Sequence, residues 1–364
     1  MPDATMPKKI LIVKLGAIGD VCLVLPAAWR LHQAGVQIHW LCGKTVAPLL
    51  ACYSWIHPIV ADESLLLRTR SLGTFRELLR LWRVLLGTSF DLCALLQFDP
   101  RYRVLTLFTQ TRKTILLDRT NRSFNLVSER HHTAEYARIL SAATSDTESV
   151  EFTRENFAPV TPDRLPENPL PRSGQTRIAL VPGGARNLMN DNPQRRWPIA
   201  SYRALAEHLI ERGYQVVLTG GPDDRWAAEY FVDLPVEDCI GAWKLPQTIA
   251  FYQSCDCVVS HDSGPLHFAG LTDCGIVAIF GPTAPAKFLP RRPRVTALWG
   301  GARLACRPCY DGKTFAPCSS IACMASVSPG SVLDAVNRIL QSPAEPWRIE
   351  EIDQVDIMNG SMAS

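Results

Sequence analysis

The stretch Lys8-Lys9-Ile10-Leu11-Ile12-Val13-Lys14-Leu15-Gly16-Ala17-Ile18-Gly19-Asp20 decides the fold. Residues 10–13 form an unbroken apolar run rich in β-branched side chains, which reads as a short strand buried on both faces. A glycine-containing loop follows, then a helical pattern from residue 21 to about 33. Outward from there the same alternation recurs. Residues 37–41 read as strand and TVAPLLACY as helix-like. Residues 75–86 read as helix, 90–96 and 114–117 as strands, and 133–142 as helix. Short apolar runs alternating with helices are the pattern of a parallel sheet wound with helices.

Composition then shifts. Pro159, Pro162, Pro166, Pro169 and Pro171 fall within thirteen residues, a semi-rigid linker. A second alternating series begins at residues 177–181, with helix over 201–211, strand QVVLT, and a helix from about Asp224. Strand CVVS follows, then a helix near Gly264 and strand IVAIF. Ser328 reads as an N-cap with Pro329 at the first helical position, opening a helix over 330–340. The final residues are weakly patterned. A chain of 364 residues with 47% hydrophobic content therefore reads as two wound α/β domains. The net charge of +3 argues against nucleic-acid binding while permitting a local basic patch. No apolar run is long enough to span a bilayer, and the opening MPDATMPKK lacks a signal-peptide core. A cytoplasmic protein is expected, with peripheral contact at the inner membrane open to a basic surface.

Ligands of parallel sheets bind at the carboxyl ends of strands. Five loops stand there. The first, residues 14–20, contains Lys14 and Gly19 and ends in Asp20, which reads either as a helix N-cap or as a carboxylate able to take a proton from a hydroxyl. It lacks the GxGxxG spacing of a dinucleotide fingerprint. The second, Val181-Pro182-Gly183-Gly184-Ala185-Arg186, is a plain turn or a close backbone approach to phosphate. Downstream, Arg195 and Arg196 precede Trp197-Pro198, either a diphosphate clamp or a solvated face. In the third, Gly220-Gly221-Pro222-Asp223-Asp224, an acidic residue either holds ribose hydroxyls or caps a helix. The fourth, residues 260–267, offers Ser263 and Gly264 as phosphate donors. Its Ser/His/Asp content lacks the spacing of a hydrolase triad, and His261 and His267 read as packing or loop residues. Gly281-Pro282-Thr283 makes a fifth turn on the same edge.

In order, ILIVKLGAIGD, LPAAWRL, VPGGAR, RRWP, VVLTGGPDD, SHDSGPLHFAG, IFGPTAP and CRPC…C….CM resemble glycosyltransferase family 9, the ADP-heptose:lipopolysaccharide heptosyltransferases, over nearly the whole chain. DSGPLH followed by FGPT is the most specific piece. The resemblance implies a GT-B fold, two Rossmann-like doubly wound domains facing a central cleft. It implies residues 1–158 as acceptor-side domain, 159–176 as linker, 177–340 as donor domain with a cysteine-rich loop at 306–323, and 341–364 as a tail. It further implies inverting transfer of heptose from an ADP-heptose-type donor to a lipopolysaccharide core sugar, or another glycan, without a catalytic metal. Asp20 would be the general base on the loop carrying Lys14 and Gly19. Gly183, Gly184, Arg195, Asp262, Ser263, Gly264, Gly281 and Thr283 would serve the donor, and Asp223 its ribose. Arg195 stands where the family often has lysine. On this view Asp20→Asn should leave folding nearly intact. A protein-directed heptosyltransferase, a transferase of another nucleotide sugar, an epimerase and a non-enzymatic sensor are the competing readings.

Twelve cysteines remain. Eight are scattered and read as small core residues. The other four, Cys306-x2-Cys309-x8-Cys318-x4-Cys323, have ligand-like spacing for a structural zinc or iron, or stay as reduced or disulfide-bonded thiols.

Overall fold

The computed structural model describes residues 8–353 except 68–70, 98, 118–129, 144–157, 187–190, 312–313 and 343. Two compact units divide between Leu165 and Pro166.

In the first unit the opening run forms β1 (Lys9–Val13), with Ile10 to Val13 fully buried. It is the middle of a parallel sheet with β2 (Gln37–Gly43), β3 (Ile56–Ala61), β4 (Ser89–Leu95) and β5 (Gln110–Leu116), in the order β3-β2-β1-β4-β5. Its helices are α1 (Ile18–Gln33), α2 (Ala47–Leu50), α3 (Glu63–Leu67), α4 (Leu72–Leu85) and α5 (His132–Ala143). The helix expected across TVAPLLACY shrinks to the single turn of α2. The sequence hid β3 because Pro58 interrupts it. The strand pairs only with β2, and at an edge the missing proline N–H leaves no partner unsatisfied.

The second unit holds β6 (Arg177–Val181), β7 (Gln215–Leu218), β8 (Glu237–Asp238), β9 (Cys257–His261), β10 (Gly275–Phe280), β11 (Val295–Gly300) and β12 (Arg348–Ile352). All are parallel, in the order β12-β11-β10-β9-β6-β7-β8. Helices α6 (Ile199–Glu211), α7 (Leu245–Gln253), α8 (Gly264–Gly270), α9 (Pro285–Phe288), α10 (Ala322–Ala325) and α11 (Pro329–Gln341) complete it. Every residue of β6, β9 and β10 is buried, the state that the apolar runs 178–181, 257–259 and 276–280 within them require. Gly275 lets α11 close on β10, since a Cβ there would lie 2.2 Å from Ile339 Cγ2.

Three expectations change. The helix from Asp224 is a 3₁₀ helix, Pro222–Phe231. The weakly patterned end is no simple tail, because it supplies β12 at the sheet edge; residues 343 and 354–364 lie outside the described ones. The proline-rich stretch is docked at both halves. Tyr53 Oη donates to Val160 O (2.7 Å), Arg164 N to Cys52 O (3.0 Å), and Asp163 accepts from Ser54 N (2.9 Å). The buried Arg177 donates to Leu170 O (2.9 Å) and Pro171 O (2.5 Å). Residues 158–165 thus belong with the first unit and 166–176 with the second.

Each sheet reverses its winding once, between β1 and β4 in the first and between β6 and β9 in the second. Crevices at such reversals are where wound α/β sheets take ligands.

Candidate functional site

In the first unit, the loop after β1 sits at this reversal. Gln97, just past β4, donates Nε2–H to Gly16 O (3.1 Å), and Gly43 N, at the end of β2, donates to Leu15 O (3.0 Å). Asp20 does not cap α1. Ala17 is the N-cap residue, and Asp20 is the third residue of the helix. Its carboxylate instead accepts from Lys14 Nζ at 2.9 Å. The Lys14 side chain is 5% exposed and that of Asp20 36%, so the carboxylate is reachable while the ammonium is not. The Lys14 ammonium lies 5.7 Å from the centre of the Tyr136 ring. Burial alone would lower the Lys14 value, but Asp20 and Tyr136 outweigh it and hold the ammonium charged beyond the usual lysine range. Burial, with the Asp20 charge, pushes the Tyr136 phenol up to about 12. Tyr136 comes from α5, and no linear motif announces it.

In the second unit, loops after β6, β7, β9 and β10 meet. Gly184 takes φ +92° and Ala185 φ +57°, so consecutive residues lie in the left-handed region, where alanine is strained. A Cβ on Gly184 would approach Ser263 Oγ to 3.1 Å, which explains the glycine by crowding as well as conformation. Arg195, ending the 3₁₀ turn Pro193–Arg195, reaches Asp262 Oδ2 with Nη2 at 2.8 Å. Thr283 Oγ1 donates to the same oxygen at 2.5 Å. Burial would raise the Asp262 carboxyl. Arg195, the Thr283 hydroxyl and His267 outweigh it and keep it below the usual carboxylate range. A buried carboxylate repels phosphate, so Asp262 fits the task of aiming Arg195 and Thr283 better than that of touching an anion itself. Ser263 is the N-cap residue of α8 with no side-chain cap bond.

Arg196 and Trp197 fix this arrangement. Arg196 Nε donates to Gly184 O (2.9 Å), and its guanidinium pairs with Asp191. Trp197 is buried and donates Nε1–H to Val327 O (2.9 Å). His261 is fully buried; its Nδ1 pairs with Tyr202 Oη (3.1 Å) while Nε2 has no partner among the described residues. Burial first, then the arginine charges, pulls its value down to about 3, so the ring is neutral. His261 and His267, expected as packing or loop residues, are both buried, and the charge of His267 also acts on Asp262.

Two acidic neighbours divide their work. Asp223 is exposed. Asp224 is buried and accepts from Gly184 N (2.7 Å) and Gly221 N (2.8 Å), tying the loops after β6 and β7 together. Gly183 is glycine for this reason, because a Cβ there would fall 2.4 Å from Asp224. Gly281 also answers to packing: its Cβ would come within 2.7 Å of Cys323 Sγ and of Met324 Sδ.

All twelve cysteines are free, and the eight scattered ones are buried. The four-cysteine loop leans on the fifth turn, with Cys309 N donating to Pro282 O (3.0 Å). Cys306 and Cys318 are exposed. Burial, with the other three thiols adding, pushes Cys323 up to about 11, and burial likewise raises Cys309. Among the described residues no three His, Cys, Asp or Glu converge as a metal-holding group.

Two doubly wound parallel units, with polar loops gathered at the winding reversal of each sheet, define a fold of the GT-B glycosyltransferase type. Residues 78–318 match glycosyltransferase family 9 (heptosyltransferase), and the chain belongs to that family. It is 37% identical over 100 residues to lipopolysaccharide heptosyltransferase 2 of Salmonella typhimurium, a match covering 26% of this chain and 29% of that protein. With lipopolysaccharide heptosyltransferase 1 of Pseudomonas aeruginosa it shares 27% identity across 83% of this chain and 86% of the relative. The solved E. coli heptosyltransferase WaaC with ADP superposes with a TM-score of 0.68 at 16% identity, covering 91% of this chain and 99% of that one; this likeness shows the fold.

Proposed function

We propose that this chain transfers heptose, with inversion, from an ADP-heptose donor to a sugar hydroxyl of a lipopolysaccharide core. The observation that carries the proposal is the cluster of Arg195, Asp262 and Thr283 beside the left-handed Gly184–Ala185 turn, in a chain of family 9. A guanidinium held beside a glycine turn, where the backbone can approach closely, suits a diphosphate. The relatives' names support the acceptor, and the ADP named with WaaC supports the donor.

In this mechanism the donor's phosphates and sugar lie against Gly184, Ser263 and Gly264, while Gly183 and Gly281 let the loops that carry Asp224 and Thr283 close on this site. Asp223, exposed past β7, takes the ribose hydroxyls. The acceptor oxygen bonds to the anomeric carbon as the bond from that carbon to the diphosphate oxygen breaks. Asp20 takes the hydroxyl proton while Lys14 anchors one carboxylate oxygen. ADP leaves with added negative charge, which Arg195 stabilises as it develops. No step draws on the four-cysteine loop, whose role is structural, and a zinc or iron there would serve the fold alone. The protein acts in the cytoplasm at the inner-membrane face, where a lipid-borne acceptor stands.

The test is a donor titration followed by transfer to deacylated core acceptor. ADP-heptose should bind more tightly than UDP- or GDP-sugars. Asp20→Asn should retain donor affinity and lose transfer by roughly 10²–10⁴-fold, the usual range for a general base. Unchanged turnover in that variant would remove Asp20 from the role, and no transfer of any sugar by the wild type would sink the proposal.

A further inference from the structure

The first unit carries an amphipathic surface that nothing in the transfer uses. On α4 the buried side, Glu77, Leu81 and Leu85, faces the core. The opposite arc leaves Leu72 at 80% exposure with Phe75 also exposed; toward the end of the helix Val84 is exposed on its flank, and Leu86, just past the helix, is 65% exposed. A second element continues it. Trp82 donates Nε1–H to Val104 O at 2.7 Å, and its ring meets Phe108 edge-on at 4.9 Å. These contacts join α4 to the 3₁₀ turn Pro100–Thr106 and the residues after it, where Leu107 is 63% exposed and Val104 and Phe108 are exposed too. Water-facing apolar side chains on two joined elements form an interaction surface rather than scattered exceptions.

Its charge selects the partner. Arg76, Arg80 and Arg83 lie along the exposed arc of α4, and Arg103 is exposed on the turn. The helix's one carboxylate, Glu77, is buried and engaged by Arg80 at 2.6 Å. Among the described residues Arg76 and Arg83 have no carboxylate partner. Asp99 at the start of the turn is already paired with Arg101 (2.5 Å). Apolar side chains interleaved with arginines match a bilayer interface bearing anionic headgroups: the guanidinium groups reach the phosphates while leucine and phenylalanine enter the acyl boundary. No helix among the described residues is long and apolar enough to cross a membrane, so such contact would be lateral.

We propose that α4 and the 100–108 segment dock this protein on an anionic phospholipid surface. The docking stands on the exposed side chains; its meaning, holding the enzyme where its acceptor is embedded, rests on the lipopolysaccharide reading above. The test is co-sedimentation of the full chain with vesicles of phosphatidylcholine alone and of an equal mixture with phosphatidylglycerol. The wild type should bind the mixed vesicles, bind the neutral ones weakly, and lose affinity as salt rises. Arg76→Gln with Arg83→Gln should lower partitioning by about tenfold or more, each arginine near an anionic surface counting roughly fivefold. Leu72→Ser with Phe75→Ser should lower it independently. Both double variants should keep the wild-type melting temperature and wild-type turnover of a deacylated acceptor, and lose turnover of the same acceptor embedded in mixed vesicles. A wild type indifferent to mixed vesicles, or variants that bind them like the wild type, would overturn the docking and leave an acidic protein as the occupant of this face. Vesicle binding with no transfer to either acceptor would instead leave the docking standing and fail the transferase reading.

Discussion

Lys14 alters what substitution of Asp20 does. From the loop alone, Asp20→Asn looks harmless to folding. In the structure the Asp20 carboxylate is the ion-pair partner of a nearly buried ammonium, and removing it strands that charge beside Tyr136. Breaking a fully buried pair costs about 3–5 kcal/mol; the part-exposed Asp20 reduces this to roughly 1–3 kcal/mol here. Asp20→Asn should therefore lower the unfolding midpoint in urea, and Lys14→Met combined with it should restore much of the loss without restoring transfer. A single variant as stable as wild type would mean that water already serves Lys14. At Arg195 the expectation concerns ligands. Arg195→Ala should weaken binding of ADP more than that of adenosine, by roughly tenfold or more for a lost charge-assisted contact. Equal losses for the two ligands, read by calorimetry, would place the arginine away from phosphate.

The turn Gly281-Pro282-Thr283 joins two features that look separate in the sequence. Thr283 bonds Asp262, while Gly281 and Pro282 receive the four-cysteine loop. Gly281→Ala would push a methyl into two sulfurs at 2.7 Å and should destabilise the protein by about 1–3 kcal/mol as an overpacking change, read as a lower melting temperature. Within the loop, exposure orders the thiols. Brief alkylation of native protein followed by peptide mass mapping should label Cys306 and Cys318 first, Cys309 and Cys323 later, and the eight buried cysteines only on unfolding. Protection of all four until a chelator is added would show that a metal draws them together in solution. The limits of sequence reading are visible at this scale. The winding was legible because β1, β6, β9 and β10 carry apolar runs, residues 10–13, 178–181, 257–259 and 276–280, that are buried on both faces. Strand β3 was not, since its proline contradicts the strand pattern at an edge that tolerates it, and β12 was not, since its alternation of arginine, isoleucine and glutamate resembles a solvated tail.

Across the whole molecule, loops at strand ends could be located from order alone, but the partners they find could not. Asp223 and Asp224 are neighbours in sequence with opposite burial, and only three-dimensional closeness to Gly183 and Gly184 distinguishes them. Tyr136 and Tyr202 likewise reach their sites from helices without motif. His261 shows what such burial implies for the entire chain. Held neutral with a folded value near 3 against about 6.5 when unfolded, it refuses a proton that the unfolded chain accepts. Between those values the unfolded state binds more protons, so stability falls as pH falls, with a limiting slope of about 1.4 kcal/mol per pH unit. His39, lowered to about 4 first by burial and then by Lys9 and His57, acts in the same direction in the first unit, though its partial exposure weakens it. Asp262 joins further down: its carboxyl lies below the unfolded value near 3.8, so the stability it contributes is present above 3.8 and is lost as pH falls from there through the lower folded value. Wild-type melting temperature should thus decline steadily from pH 6.5 to pH 4.5, on the order of 1–2 kcal/mol from His261 by pH 5. His261→Asn should be less stable at pH 7, having lost the bond to Tyr202, yet show a flatter decline over the same interval. Parallel curves for variant and wild type would mean that the buried imidazole takes up its proton in the folded state after all.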